Sequence, residues 1–240
     1  MERKPQIPLL HRPHAALARC AIAAFALAVA GTAAGASNTA PWVGSTLEGA
    51  SCQQERSRGE HAYGPYDYIN PEDFRKRLPI VEEYHFSRRV ESLEGGDTAD
   101  TPLPDLEYTL HAFPNHHRAL FALIRYYLKL KPWEAGHQQW KTPPECYLQR
   151  AIAFRPNDPT CYSLYGLYLH RRGYVEQAVV QYRKALDITP NDAEAQYNLG
   201  LALLDLKRYR DAQAAARKAY ALGYPLPGLR ERLAAAGYAP

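Results

Sequence analysis

The sequence predicts an all-α fold of stacked helical hairpins, and three observations carry that prediction. First, residues 159–192 and 193–226 superimpose at an offset of 34 residues. In that register Gly166 falls on Gly200, Ala178 on Ala212, Ala185 on Ala219, Lys184 on Lys218 and Tyr165 on Leu199. Second, the matched positions are mostly small, as they must be where two helices approach closely. A mid-helix glycine costs about 1 kcal/mol against alanine and is tolerated where packing requires it. Third, Pro190 cannot continue the preceding helix, and Asn191-Asp192 supplies turn and N-cap chemistry for the next. A fixed period of this length marks a unit that buries its apolar face only against copies of itself.

The pattern resembles the tetratricopeptide repeat, a helix–turn–helix unit. The signature positions occur in order: a large residue at 4 (Tyr162), an apolar residue then glycine at 7 and 8 (Tyr165, Gly166), alanine at 20 (Ala178), an aromatic at 24 (Tyr182), alanine at 27 (Ala185) and proline at 32 (Pro190). The second unit departs twice: Ala216 replaces the aromatic, and the proline of Tyr224-Pro225 moves one place. The resemblance implies an all-α, short α-solenoid with a capping helix at its C-terminal end and an irregular N-terminal segment packed on it.

Taken in order, residues 1–36 have the make-up of a secretory signal peptide. Arg3, Lys4, Arg12 and Arg19 form a basic region, Ala21 to Gly31 an apolar run, and Ala34-Gly35-Ala36 a cleavage pattern. The run is short of the roughly 20 residues that a membrane span needs. The expectation is cleavage after Ala36 and export to the periplasm or beyond, with no stable membrane span afterwards. An uncleaved signal anchor, tethering the protein to the membrane, is the alternative. Cys20, behind Arg19 and ahead of the apolar run, is not placed for lipid attachment.

Residues 37–101 form an irregular, acidic, tyrosine-rich segment. Gly, Ser, Thr and Ala dominate up to residue 51, which suggests a loose tail. Tyr63, Tyr66 and Tyr68 lie in an extended, turn-rich stretch. Asn70-Pro71-Glu72-Asp73 is a helix start, with proline at the first position and acids in the first turn, for a helix to about Arg77. Ser87 can cap another helix over 88–93, and residues 94–101 suggest a mobile loop.

Residues 102–240 form the repeat domain. Leu106 to Phe113 resembles a second helix of a repeat, followed by Pro114-Asn115 in the manner of Pro190-Asn191. An irregular repeat spans 117–158: His117 to Lys131 is its first helix and Tyr147 to Pro156 its second. The spacing from Pro114 to Pro156 is 42 residues, eight more than 34, so Pro132 to Pro144 carries an insertion. The regular repeats 159–192 and 193–226 follow, then a cap over 226–237 with Arg230, Glu231 and Arg232 outward.

After cleavage three cysteines remain, Cys52, Cys146 and Cys161, in an oxidising compartment. An odd number leaves at least one thiol unpaired. Cys146 and Cys161 lie on antiparallel helices about 10 Å apart along the axis, too far for a bridge. Cys52–Cys146 is therefore the favoured disulfide, and Cys161 a packed thiol.

The formal charge of +4 does not argue for nucleic acid. Its division is more telling. Residues 37–101 hold 7 Lys and Arg against 12 Asp and Glu, a net of −5; residues 102–240 hold 18 against 12, a net of +6. Opposite fields favour docking of one half on the other, so Tyr63 to Phe86 is expected to wrap onto the stack near Arg118, Arg125 and Lys129. His85, His116, His117 and His137 lie in separate segments without a Cys or carboxylate at ligand spacing, so neither metal nor cofactor is expected. His116 and His117 are assigned to capping or surface positions. No phosphate-binding glycine loop or nucleophile elbow is present, and no catalytic residue is assigned.

What remains is binding to a protein or peptide. The family resemblance implies a concave groove lined by each first helix. By register it presents Arg118, Phe121, Arg125, Leu128 and Lys129; then Thr160, Ser163, Leu167, His170 and Arg171; then Glu194, Tyr197, Leu201, Leu204 and Asp205. Asn198 matches one position of the family's carboxylate clamp, but the Lys and Asn set is incomplete and that ligand is not transferred. The leading expectation is a non-catalytic exported adaptor in a bacterial-type cell envelope. The alternatives are a component of an envelope assembly for a surface polymer or secretion machine, and an enzyme with a site built on the N-terminal segment.

Overall fold

The structure, a computed structural model, describes residues 40–52, 63–132 and 142–239. The signal region 1–36 and most of the insertion, with Trp133, His137 and Trp140, lie outside the described residues. Among the described residues the regular structure is helical, with one isolated antiparallel bridge between Ser45 and Ser51. The helices are α1 Pro71–Lys76, α2 Leu78–His85, α3 Arg88–Glu91, α4 Leu103–Ala112, α5 His117–Leu130, α6 Pro144–Phe154, α7 Pro159–Arg171, α8 Val175–Ile188, α9 Ala193–Asp205, α10 Tyr209–Ala221 and α11 Gly228–Ala235. None is long and apolar enough to cross a membrane.

The repeat helices start where the sequence offers an oxygen to cap them. Asp158 accepts from Thr160 N at 3.1 Å at the start of α7, and Asp192 from Ala195 N at 3.0 Å at the start of α9. Proline ends the preceding pair in each case. Inside the hairpins Ala178, Ala185, Ala212 and Ala219 are fully buried. The two signature glycines serve different neighbours. A Cβ on Gly166 would lie 2.7 Å from the ring of Tyr182, on the paired helix α8, whereas a Cβ on Gly200 would overlap Leu229 of the cap helix α11. Gly200 therefore seats the end cap, and its own hairpin partner needs no such room because Ala216 replaces the aromatic.

Two larger cores result. One joins α4, α5, α6 and α7 around Leu106, Leu110, Leu120, Leu123, Leu148 and Tyr168. The other joins α8 to α11 around Tyr182, Leu203, Ala212, Ala216, Leu229 and Leu233. A smaller cluster of Leu78, Val81, Ala112 and Phe113 attaches α2 to the end of α4.

The N-terminal segment corrects three sequence expectations. Residues 40–52 are not a loose tail. Trp42 packs edge-on against Tyr147 at 4.9 Å, Leu47 N donates to the buried Glu145 at 2.9 Å, and Arg150 Nε donates to the carbonyl of Ala40 at 2.8 Å. Cys52 and Cys146 are joined by a disulfide, with Cα atoms 5.4 Å apart, and Cys161 is a free, buried thiol. The loop over 94–101 is not loose either. The buried Asp105 accepts from Asp97 N at 2.7 Å, Thr98 N at 3.0 Å and Thr98 Oγ1 at 2.7 Å. Burial pushes the Asp105 carboxyl up, but bonds from Thr98, His85 and Asp97 outweigh it and hold it below its usual value. Thirdly, a second helix, α2, follows α1 where the sequence suggested none. Pro79 lies in its first turn, where proline is compatible with a helix.

The acidic segment lies on the basic stack. Tyr66 N donates to the Ala112 carbonyl at 2.8 Å, and Tyr68 N to Asn115 Oδ1 at 3.0 Å. Asp67 pairs with Arg155 at 2.5 Å, and Arg118 pairs with Glu82 at 3.0 Å and Glu91 at 2.5 Å. Arg125 donates to the Glu91 carbonyl at 2.7 Å, while Lys129 stays uncovered and faces the groove.

Candidate functional site

The first helices α5, α7 and α9 line up side by side and leave a groove of about 840 Å³. Eight sequence-designated residues line it: Phe121, Arg125, Lys129, Leu167, Arg171, Tyr197, Asn198 and Leu201. Leu128 and Glu194 join them, as do Ile124, Lys131, Tyr224 and Leu226, which register alone did not single out. Tyr224 stacks at 4.4 Å on Tyr197, so the turn leading to the cap forms the far wall.

Six residues placed there by register do not line it: Arg118, Thr160, Ser163, His170, Leu204 and Asp205. Arg118 turns toward α2 and α3, where Glu91 first and then Glu82 hold its guanidinium above its ordinary pKa despite partial burial. Ser163 packs inward, with its hydroxyl buried and unpartnered among the described residues. His170 bonds to Asp205 at 2.7 Å, and Asp205 also takes Arg232 of the cap at 2.5 Å. His170 is thereby committed to fastening α11 rather than to a ligand.

The groove's polar character is one-sided. Arg125, Lys129, Lys131 and Arg171 stand against Glu194 alone. The Arg125 guanidinium lies 5.4 Å over the Phe121 ring, which fixes it at the rim. Below the groove, burial raises the Tyr182 phenol and keeps it protonated, with Arg171 and Glu194 in electrostatic reach. Its hydroxyl is buried without a hydrogen-bond partner among the described residues. Such an arrangement can hold an extended chain: apolar walls for side chains, cations for carboxylates and the Asn198 amide for backbone groups.

The structure also brings together a histidine, a carboxylate and a thiol from separate segments, a proximity that sequence spacing did not reveal. Ligand atoms of His117, Asp158 and Cys161 lie within 4.8 Å of one another. They are already bonded internally. Asp158 Oδ2 accepts from His117 Nε2 at 2.7 Å and Asn115 Nδ2 at 3.1 Å, while Oδ1 caps α7. Burial, and then the neighbouring Asp158, push the Cys161 thiol well above its usual range and favour its protonated, donating form. The trio is a helix cap. His116 is likewise a cap, its Nδ1 accepting from Ala119 N at 3.1 Å, but it is fully buried rather than on the surface.

Residues 166–207 match the family model described as "TPR repeat", and residues 193–222 the one described as "Tetratricopeptide repeat". A peroxisomal targeting signal receptor of Candida albicans is 32% identical over 77 residues, which is 32% of this chain and 13% of that protein. The chain thus spans only a small part of that relative. Among solved structures, a MamA protein aligns with a TM-score of 0.49 and 17% identity, covering 66% of this chain and 80% of the other. Pseudomonas aeruginosa pilF aligns at 0.47 and 18%, covering 66% and 64%. YrrB, a TPR protein with an unusual peptide-binding site, aligns at 0.40 and 21%, covering 56% and 63%.

Proposed function

Because the chain is a tetratricopeptide-repeat protein, with matched repeats over residues 166–222, and hence a protein–protein interaction adaptor, we propose that it is a non-catalytic, exported one that takes an acidic, extended segment of a partner in the groove of α5, α7 and α9. The observation that carries this reading is the convergence of Lys129, Arg171 and the Asn198 amide on one apolar groove. No hydrogen bond or ion pair within the described residues engages Lys129 or the Asn198 side chain. Desolvating an unpaired cation is offset when a carboxylate arrives. Leu128, Leu167 and Leu201 would receive alternate side chains of an extended chain.

Export is part of the proposal and rests on residues 1–36 alone, which are basic, then apolar, then small-residue-rich. N-terminal sequencing of the secreted or periplasmic protein should begin at Ser37; a product that retains Met1 would contradict it.

The groove is tested with fluorescent peptide libraries on the full chain. Acidic extended peptides should bind with marked salt dependence, and Lys129→Glu with Arg171→Glu should abolish binding without altering the helical spectrum. Equal binding of acidic and basic libraries would refute the assignment.

A further inference from the structure

A second cavity, of about 570 Å³, lies between α1, α2, α4 and the stretch after Tyr63, and shares no lining residue with the groove. Its walls are aromatic and apolar: Tyr63, Tyr66, Ile80, Tyr84 and Tyr108. Two of the tyrosines are fixed. Tyr66 packs on Phe113 at 5.4 Å, with the Arg77 guanidinium 4.6 Å over its face and Arg77 Nη1 donating to its hydroxyl at 3.2 Å. Tyr108 carries the His85 ring stacked at 3.7 Å, and His85 is held in turn by Asp105 through Nδ1 at 3.0 Å. The other side is open. Ile80 and Tyr84, one turn apart on α2, are each 60% exposed, and Tyr63 is 73% exposed. An amphipathic surface helix normally turns its apolar residues to the core. Here α2 gives Leu78 and Val81 to the core and turns an equally apolar pair outward.

The hydrogen-bonding chemistry of the lining narrows the ligand. Among the described residues no carboxylate or amide side chain lines the cavity; Lys76 and Arg77 donate, while the tyrosine hydroxyls and the His85 ring can donate or accept. Burial, then the nearby Tyr63 and Tyr66, raise the Tyr108 phenol above its usual value and keep it an O–H donor. A ligand that suits these walls is apolar, packs on tyrosine faces and brings acceptors to Lys76 and Arg77. We propose that this cavity docks a proline-rich peptide segment with an acidic flank, so that the chain carries a second interaction site apart from its groove. Proline supplies a carbonyl at each residue and no backbone N–H. Its ring packs on tyrosine faces, and its extended left-handed helix is formed before binding and loses little entropy. Lys76 and Arg77 at the edge favour a carboxylate next to the proline run. The present partner of Lys76, Glu72, is a one-turn neighbour on the surface of α1 and exchanges readily.

The test is fluorescence anisotropy with the full chain and a capped peptide whose core is proline-rich with a glutamate at each end. A control peptide has every proline replaced by alanine. On the Lys129→Glu, Arg171→Glu background, in which the groove no longer takes acidic chains, the proline peptide should bind and the control should not. Tyr84→Ala and Ile80→Ala, both at exposed positions, should each weaken binding by about tenfold or more, as loss of an interface anchor does. Lys76→Glu should weaken it and flatten its salt dependence. Lys129→Glu with Arg171→Glu in the groove should leave it unchanged. Equal binding of the two peptides, wild-type binding by both the Tyr84→Ala and Ile80→Ala proteins, loss of binding in the groove variant, or capture of a neutral oligosaccharide in place of the peptide would each overturn the proposal.

Discussion

The two regular hairpins turn through the same backbone shape with different residues, and the difference has a measurable cost. Gly173, in the turn between α7 and α8, has φ +84°; its counterpart 34 residues on is Lys207, with φ +58°. A left-handed residue with a Cβ costs about 1–2 kcal/mol, and glycine escapes that cost. Glycine also gains freedom in the unfolded chain, which offsets roughly 0.4–1 kcal/mol. Lys207→Gly should therefore stabilise the protein by about 0.5–1 kcal/mol, equivalent to roughly 1–4 °C in Tm for a domain of this size. Little else changes. The Lys207 side chain is exposed, and its backbone N–H, donated to Leu204, is retained in glycine. The reciprocal Gly173→Ala should destabilise by a similar amount. A Cβ there meets nothing within 4 Å, so conformation alone is at stake. Urea unfolding of the wild type and both variants, with m-values unchanged, is the assay. A Lys207→Gly protein that is no more stable, together with an unperturbed Gly173→Ala protein, would refute the claim that both turns need a left-handed residue.

Three further outcomes are expected. Ala178→Leu, at a fully buried position between α7 and α8, should overpack the hairpin and cost about 1–3 kcal/mol in urea titration. Cys52–Cys146 closes a sequence separation of 94 residues, so selective reduction should lower stability by about 2–4 kcal/mol, and a non-reduced digest should yield the two peptides linked. Burial first, and then Arg150, lower His111 to about 4 from its ordinary 6.5, so the unfolded state takes up the proton first as pH falls. Stability should thus be undiminished by this group above pH 6.5 and decline by roughly 3 kcal/mol between pH 6.5 and 4. His111→Phe should flatten that decline, as measured by melting temperature across the window.

The parts of the fold that were legible owe it to local rules. Asp192 as a cap, Pro190 as a stop and alanines at helix crossings act within one hairpin, and a period exposes them. The groove followed for the same reason: Phe121, Leu167 and Leu201 inherit their direction from helix register. What escaped depends on distant partners. Nothing near Arg118 in sequence says that Glu82 and Glu91 will draw it from the groove, or that Asp205 and Arg232 will engage His170. Asp105 resembles an ordinary first-turn acid until the backbone of Asp97 and Thr98 closes on it. The Gly- and Ser-rich stretch before Cys52 is held by Glu145 and Arg150, about a hundred residues away. Tyr63, Tyr84 and Tyr108 carried no common signal, since three segments converge to form their cavity.

The disulfide has a mechanical consequence. A load applied between residue 40 and the C-terminal end would pass from Cys52 straight to Cys146 and bypass everything between them, including α1 to α5 and the second cavity. The 94-residue span it closes corresponds to about 300 Å of extended chain that cannot be drawn out while the bond holds. A partner pulling on this adaptor would strain the regular hairpins and the cap first, and the aromatic cavity would keep its shape under tension that had already opened the groove.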